Sequence, residues 1–356
     1  MEESHTINKK QIKIGTLSLD GPFVLAPMAG VTNWPFRWMA QSEGASLTYS
    51  EMASAVALVY RGKGTLRLLK NPQRQHPFGV QLFGKDPKHL AEAARIAELE
   101  HGASLIDLNF ACPARKVIRS GHGAAILQDP DLALRISEEV IKAISIPLTV
   151  KTRPGYHPPQ DWEEATIFTL AKGLEALGVA AITIHPRYAS QGFTGEADWS
   201  ITTRLSHELK IPVIGSGDVK SAEEAIFRLN GSGASLIMLG RATRGRPWIF
   251  RECLKLLNGE KNPQVGLRER LNYASTHARL LYSELGVRAV FPLRTVLGWY
   301  LKELPRAASF RDRINHEEDF ETQLSILSEA FAEAEGSLEK EGRLEGAPPE
   351  GLPTSQ

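Results

Sequence analysis

Eight short apolar runs recur along the chain, at residues 23–26, 47–50, 78–82, 105–108, 148–152, 181–185, 213–216 and 236–239. Helical-period stretches separate them. Residues 87–100 put Leu90, Ala93, Ala94 and Ala97 on one side, and residues 221–229 open with a serine and carry Glu224 three positions on, the pattern of a capped helix start. This alternation predicts an α/β chain closed as a (β/α)8 barrel of the TIM type. The nearly continuous apolar character of the runs suits parallel strands covered on both faces. An open doubly wound sheet is the competing fold, and it lacks a glycine-rich dinucleotide fingerprint after the first strand.

Beyond residue 257 the strand-like runs stop. Residues 258–263 (Asn-Gly-Glu-Lys-Asn-Pro) read as a linker, and the pattern is then helical to about Ala334. The expected organisation is a barrel over residues 12–257, a small all-helical domain over 262–335 and a tail over 336–356. The tail ends in a Pro/Gly/Glu-rich stretch that cannot bury enough apolar surface to order itself.

Length and composition narrow the class. The 356 residues exceed the roughly 250 a barrel requires, leaving room for one appendage. Hydrophobic content of 42% and charged content of 23% are ordinary for a soluble protein. No apolar run approaches the roughly 20 residues needed to cross a bilayer. The N-terminus lacks the regions of a signal peptide, so the expected location is cytoplasmic, where two unpaired cysteines are unremarkable. A formal net charge of +1 excludes a globally basic nucleic-acid binder and leaves only a local patch. Residues 279–313 form a basic block interleaved with Phe291, Trp299, Tyr300 and Phe310; residues 317–345 form an acidic block that reads as a solvated face.

In such a barrel the residues just after each strand converge on one rim. They are Pro27, Met28, Ala29 and Gly30, then Glu51, Gln81, Asn109 with Cys112, Lys151 with Arg153, His185 with Arg187, Ser216-Gly217-Asp218, and Gly240-Arg241. The loops after the seventh and eighth strands, with glycines and Arg241, fit a phosphate bound by backbone amides. Lys151 ends an apolar run, so its ammonium needs a polar partner; a salt bridge is as good an account in isolation. A planar cofactor that accepts hydrogen bonds and carries stabilised negative charge, such as a reduced flavin, accounts for the rim polar residues together. Cys112 follows its strand, precedes a proline and has Arg115 and Lys116 nearby, the setting of a reactive rather than a packed thiol. Cys253, inside an amphipathic helix, is assigned to packing. No metal cluster is expected.

These residues resemble a known family. Pro27-Met28-Ala29-Gly30-Val31-Thr32, Gln81, the run Asn109-Phe110-Ala111-Cys112-Pro113-Ala114-Arg115-Lys116-Val117, Lys151-Thr152-Arg153, His185, Gly240-Arg241-Ala242 and Gly245-Arg246-Pro247-Trp248-Ile249-Phe250 are similar to the tRNA-dihydrouridine synthases, the bacterial B-type branch in particular. The resemblance spans about Ile12 to Ala334. It implies an FMN-binding barrel, a helical domain that helps grip tRNA, and NADPH as electron donor. By position it implies Pro27, Met28 and Ala29 along the flavin ring, Gln81 and Lys151 on its polar edge, and Asn109 and His185 near flavin and uracil. Ser216, Gly217, Asp218, Gly240 and Arg241 fall to the phosphate. Cys112 becomes the general acid that protonates C5 of a uridine after hydride reaches C6. Arg115, Lys116, Arg153, Arg187 and Arg294 are the expected RNA contacts, and a monomer is expected.

The sequence departs from the family pattern at Ser216, where asparagine is usual, at residues 120–125, which lack the usual lysine and serine, and at Thr295-Val296, which replace Lys-His. Three readings follow. The first is reduction of specific uridines in tRNA, or in ribosomal RNA as a variant. The second is a flavin oxidoreductase acting on a free pyrimidine, which would leave the basic C-terminal helices without use. The third is a non-catalytic RNA-binding module that kept the barrel.

Overall fold

The computed structural model describes residues 12–72, 76–159 and 166–340. A two-stranded antiparallel hairpin, β1 (Ile12–Ile14) and β2 (Leu17–Leu19), opens the chain, with Gly15 at a φ of +57° in its turn. The parallel strands follow: β3 (Phe23–Leu25), β4 (Leu47–Tyr49), β6 (Phe78–Phe83), β7 (Leu105–Phe110), β8 (Leu148–Thr152), β9 (Ala181–Ile184), β10 (Val213–Ser216) and β11 (Leu236–Leu239). Each pairs with the next, and β11 pairs with β3, so these eight strands close a barrel. A further short strand, β5 (Ala53–Ser54), lies against the C-terminal end of β6.

All eight predicted runs are barrel strands. The hairpin was not foreseen, because three-residue strands are too short to show a period. Ile14 and Leu19 pack with Val24, Leu47, Leu105, Ala181, Ile214 and Leu236, residues at the strand starts, so the hairpin seals the barrel floor. The opposite rim is thereby left as the open end.

Helices cover the outside. Residues 87–100 form most of α4 (Pro87–His101), which starts at the Asp86 cap and ends at Gly102 with φ +66°, and Leu90, Ala93, Ala94 and Ala97 are all buried. In α9 (Ala222–Gly231) the Ser221 hydroxyl accepts from the Glu224 N–H, as predicted; the Glu224 carboxylate reaches back to the Lys220 N–H rather than to the cap. Cys253 is fully buried in α10 (Ile249–Leu257), and its thiol is pushed far up by burial.

The chain divides into two compact units at Pro263 and Gln264. In the second, α11 (Leu267–Leu285), α12 (Val290–Tyr300), α13 (Ala307–His316) and α14 (Phe320–Lys340) pack on one another. Residues 336–340, expected to begin a disordered tail, continue α14, where the Ser337 hydroxyl donates to the Glu333 carbonyl. Residues 341–356 of that expected tail lie outside the described residues. Among the described residues no helix is long and apolar enough to cross a membrane.

Candidate active site

The rim at β6, β7 and β8 is built from neighbouring strand positions. Gln81 is level with Asp107, Asp107 with Thr149, and Asn109 with Lys151. Asp107 is fully buried; one carboxylate oxygen accepts from the Thr149 hydroxyl at 2.7 Å and the other from the Gln81 amide at 2.6 Å. The Gln81 carbonyl accepts from the Asn109 amide at 2.8 Å. The Asn109 carbonyl in turn accepts from the backbone N–H groups of Ala111 (3.1 Å) and Cys112 (2.9 Å). Asn109 thus folds the chain into the turn that presents Cys112, which is half-buried. Gly123, at φ +59°, closes beneath it: a Cβ there would come within 2.8 Å of the Cys112 carbonyl.

Lys151 is 9% exposed, and its ammonium makes no hydrogen bond or ion pair among the described residues. Burial, reinforced by Arg153, holds its ammonium well below the ordinary lysine range, while Asp107 and Cys112 pull the other way. Burial also pushes the Asp107 carboxyl up, against the hydrogen bonds from Gln81 and Thr149 and the charge of Lys151. A buried cation without a partner is costly unless a ligand supplies one.

After β8 and β9 the arginines have most of their donors engaged, with Arg187 Nε the buried exception. Arg153 is 1% exposed; its Nε donates to the Ala111 carbonyl, and its terminal nitrogens to the carbonyls of Arg187, Tyr188 and Gly192, at 2.8 to 3.2 Å. Arg187 is buried as well, donating to the Gly195 carbonyl at 2.6 Å and pairing with Asp218. Both were expected to contact RNA, and both are instead struts that hold the loop after β9. Asp218 was expected at a phosphate, but its carboxylate accepts from Arg187, from the Ala197 N–H at 2.9 Å and from Arg241 at 3.4 Å. Although burial raises it, those donors hold its carboxyl below the usual range, so its side chain organises cations and only its backbone N–H is left for a phosphate.

The backbone here is open. The N–H groups of Gly217, Asp218, Gly240 and Arg241 donate to no acceptor among the described residues. Gly217, at φ +110°, lies so close under His185 that a Cβ would sit 2.8 Å from its ring. His185 is driven down to about 2 by burial and by the cations Lys151, Arg153, Arg187 and Arg241, so it is a neutral imidazole at physiological pH. The Ser216 residue is buried at the end of β10. The Arg241 guanidinium is about half exposed beside the Phe193 ring.

After β3, Pro27, Met28, Ala29 and Gly30 form a turn pinned from both ends. Thr32 exchanges hydrogen bonds with the Met28 backbone, and Glu51 accepts from the Gly30 N–H at 2.6 Å. Burial raises the Glu51 carboxyl, partly offset by that bond and by Arg37. Pro27 and Met28 are half-buried and Ala29 and Gly30 exposed. Arg115 and Lys116 start α5 (Arg115–Arg119), exposed to solvent just beyond Cys112.

In the helical unit the two charge blocks meet. Arg313 forms a bidentate pair with Glu329, Arg306 pairs with Glu333, and Arg279 lies 3.9 Å from Glu321. The acidic block, read as a solvated face, thus covers part of the basic one. Arg294 is half-buried, donates to the Glu317 carbonyl at 3.3 Å and rests over Phe291.

Asp107 is the residue that sequence reasoning passed over. Its signal was available: an acid in the middle of an apolar strand, two positions before Asn109.

The chain is 36% identical over 322 residues to tRNA-dihydrouridine synthase B of Xanthomonas axonopodis pv. citri, covering 90% of this chain and 96% of that protein. It is 38% identical over 323 residues to tRNA-dihydrouridine synthase B of Escherichia coli K12, covering 90% and 99%. Among solved structures, a complex of 2-naphthoyl-CoA reductase superposes with a TM-score of 0.55 at 12% identity over 71% of this chain and 52% of that one, a likeness of fold alone. The sequence profile of the dihydrouridine synthases (Dus) matches residues 24–335, and the chain belongs to that family of enzymes.

Proposed function

We propose that this chain uses FMN and NADPH to reduce specific uridines of tRNA to 5,6-dihydrouridine. The observation that carries this reading is the partnerless, buried Lys151 on the same rim as four open backbone N–H groups and a presented Cys112. An anionic, hydrogen-bond-accepting ring with a phosphate tail fits that donor set.

Lys151 and Gln81 would hold the electron-rich edge of such a ring, and Pro27, Met28 and Ala29 would line its face. Asn109 and neutral His185 stand beside ring and uracil. Gly217, Gly240 and Arg241 hold the phosphate through backbone N–H groups and one guanidinium, with buried Ser216 ending the strand beneath them. A reduced FMN held by these residues would supply the hydride that C6 of the uracil takes up. Cys112 then gives its thiol proton to C5, which would otherwise remain a carbanion. The uridine must leave its stack to enter, at a cost of a few kcal/mol that cationic contacts to phosphate offset. Arg115 and Lys116, exposed beside Cys112, supply such contacts, and the helical unit, with Arg294 half-open, grips the rest of the tRNA. The protein works as a cytoplasmic monomer in this reading.

The test is the absorbance spectrum of the purified protein, anaerobically, before and after NADPH and then unmodified tRNA. A flavin spectrum that bleaches with NADPH and returns on adding tRNA is expected. A protein that holds no flavin overturns the cofactor, and a flavin that stays reduced with tRNA points to another acceptor. Cys112→Ala should keep the flavin and lose about 10²- to 10⁴-fold in uridine reduction; full activity would remove Cys112 as proton donor.

A further inference from the structure

The Asp107, Gln81 and Asn109 chain has a direction that its two ends impose. At one end, ionised Asp107 can only accept, and it does so from Thr149 and from the Gln81 amide nitrogen. At the other end, the backbone N–H groups of Ala111 and Cys112 can only donate, and they donate to the Asn109 carbonyl. Between these ends each amide has one consistent orientation. The Asn109 nitrogen must face the Gln81 oxygen, and the Gln81 nitrogen must face the carboxylate. An isolated amide pair could flip; this one cannot without leaving two buried donors or two buried acceptors face to face.

We infer that Asp107 is a positioning residue for Cys112: through Gln81 and Asn109 it fixes the turn that aims the thiol. Asp107 itself lies below the rim and is fully buried, while the three links are 2.6, 2.8 and 2.9 Å long and each is buried or nearly so. The inference rests on the proposed function only in taking Cys112 as the reacting group.

Two variants test it. Asp107→Asn replaces the acceptor-only carboxylate by an amide that can present nitrogen or oxygen, so residue 107 no longer imposes the direction and only the Ala111 and Cys112 N–H groups do. Gln81→Met cuts the middle while leaving the Asp107 carboxylate, its Thr149 bond and the Lys151 charge in place. The first readout is alkylation of Cys112 by iodoacetamide, which the fully buried Cys253 does not obscure. Both variants should label at least about fivefold faster, because the Cys112 turn opens more often. The second readout is steady-state uridine reduction: kcat should fall about tenfold or more, with KM for tRNA within about threefold. The third is a cycle of Asp107→Asn with Cys112→Ala, in whose residual reaction Asp107→Asn should cost nothing further; Gln81→Met is left out of it because Gln81 also faces the proposed flavin.

Unchanged labelling in both variants overturns the inference. So does an equal loss in the Cys112→Ala background, which would mean that Asp107 acts through Lys151 instead. If Asp107→Asn does not fold, Cys112 labelling in Gln81→Met decides alone. A wild-type protein that fails to reduce tRNA, with labelling changed as expected, refutes the proposed function and leaves the positioning intact.

Discussion

Two adjoining sectors of one barrel rim handle buried cations in opposite ways. At the end of β8, Lys151 is enclosed without a protein partner; Arg153, two residues on, and Arg187, after β9, are enclosed with most of their donors engaged, Arg187 Nε excepted. Both sectors place a cation at a strand end, so position alone does not separate them. The difference is in the acceptors: five backbone carbonyls and Asp218 surround the arginines, whereas Lys151 faces neighbours that are bonded to one another. A saturated cation holds the fold together, and an unsaturated one awaits a ligand.

The largest effect should come from Arg153→Ala. It strands four carbonyls, of Ala111, Arg187, Tyr188 and Gly192, and should cost about 3 to 5 kcal/mol, read as a drop in the urea midpoint; Arg153→Lys cannot rebuild the fork and should recover only part of it. A loss below about 1 kcal/mol would erase the contrast between the sectors. Lys151→Met should do the reverse, leaving the stability of the apoprotein within about 1 kcal/mol while flavin content collapses. A folded Lys151→Met protein that retains its full flavin would show that the ammonium has no such ligand.

The pH dependence sharpens the comparison from the same cations. They and burial hold the His185 imidazole at about 2 in the folded protein, against about 6.5 when unfolded. Only the unfolded chain then takes up this proton between those values. Stability is therefore unaffected above pH 6.5 and falls below it, by up to about 1.4 kcal/mol per pH unit from this residue. Denaturant unfolding at pH 7 and pH 5 should show His185→Gln losing less on acidification than the wild type, by about 1 to 2 kcal/mol; parallel losses would mean the ring is protonated when folded.

The strands were legible because a parallel barrel strand is buried on both faces and reads as a bare apolar run. The floor hairpin was not, because Ile14 and Leu19 carry no signal until the barrel end that they cover exists. Cys112, Lys151, Gln81 and Asn109 were legible as a rim set by their strand-end positions. The partners of the basic block at 279–313 were hidden for a related reason: Arg306 and Arg313 pair with Glu333 and Glu329, carboxylates from the block read as solvated.

Sequence by itself determined the barrel, its open rim and the residue types that meet there, because apolar periodicity and strand ends are local properties of the chain. Tertiary structure alone decided which of those residues are free to act. Whether Lys151, Arg153, Arg187 or Asp218 has its hydrogen bonds filled depends on carbonyls and charges tens of residues away, and only folding brings those partners within 3 Å or so of one another.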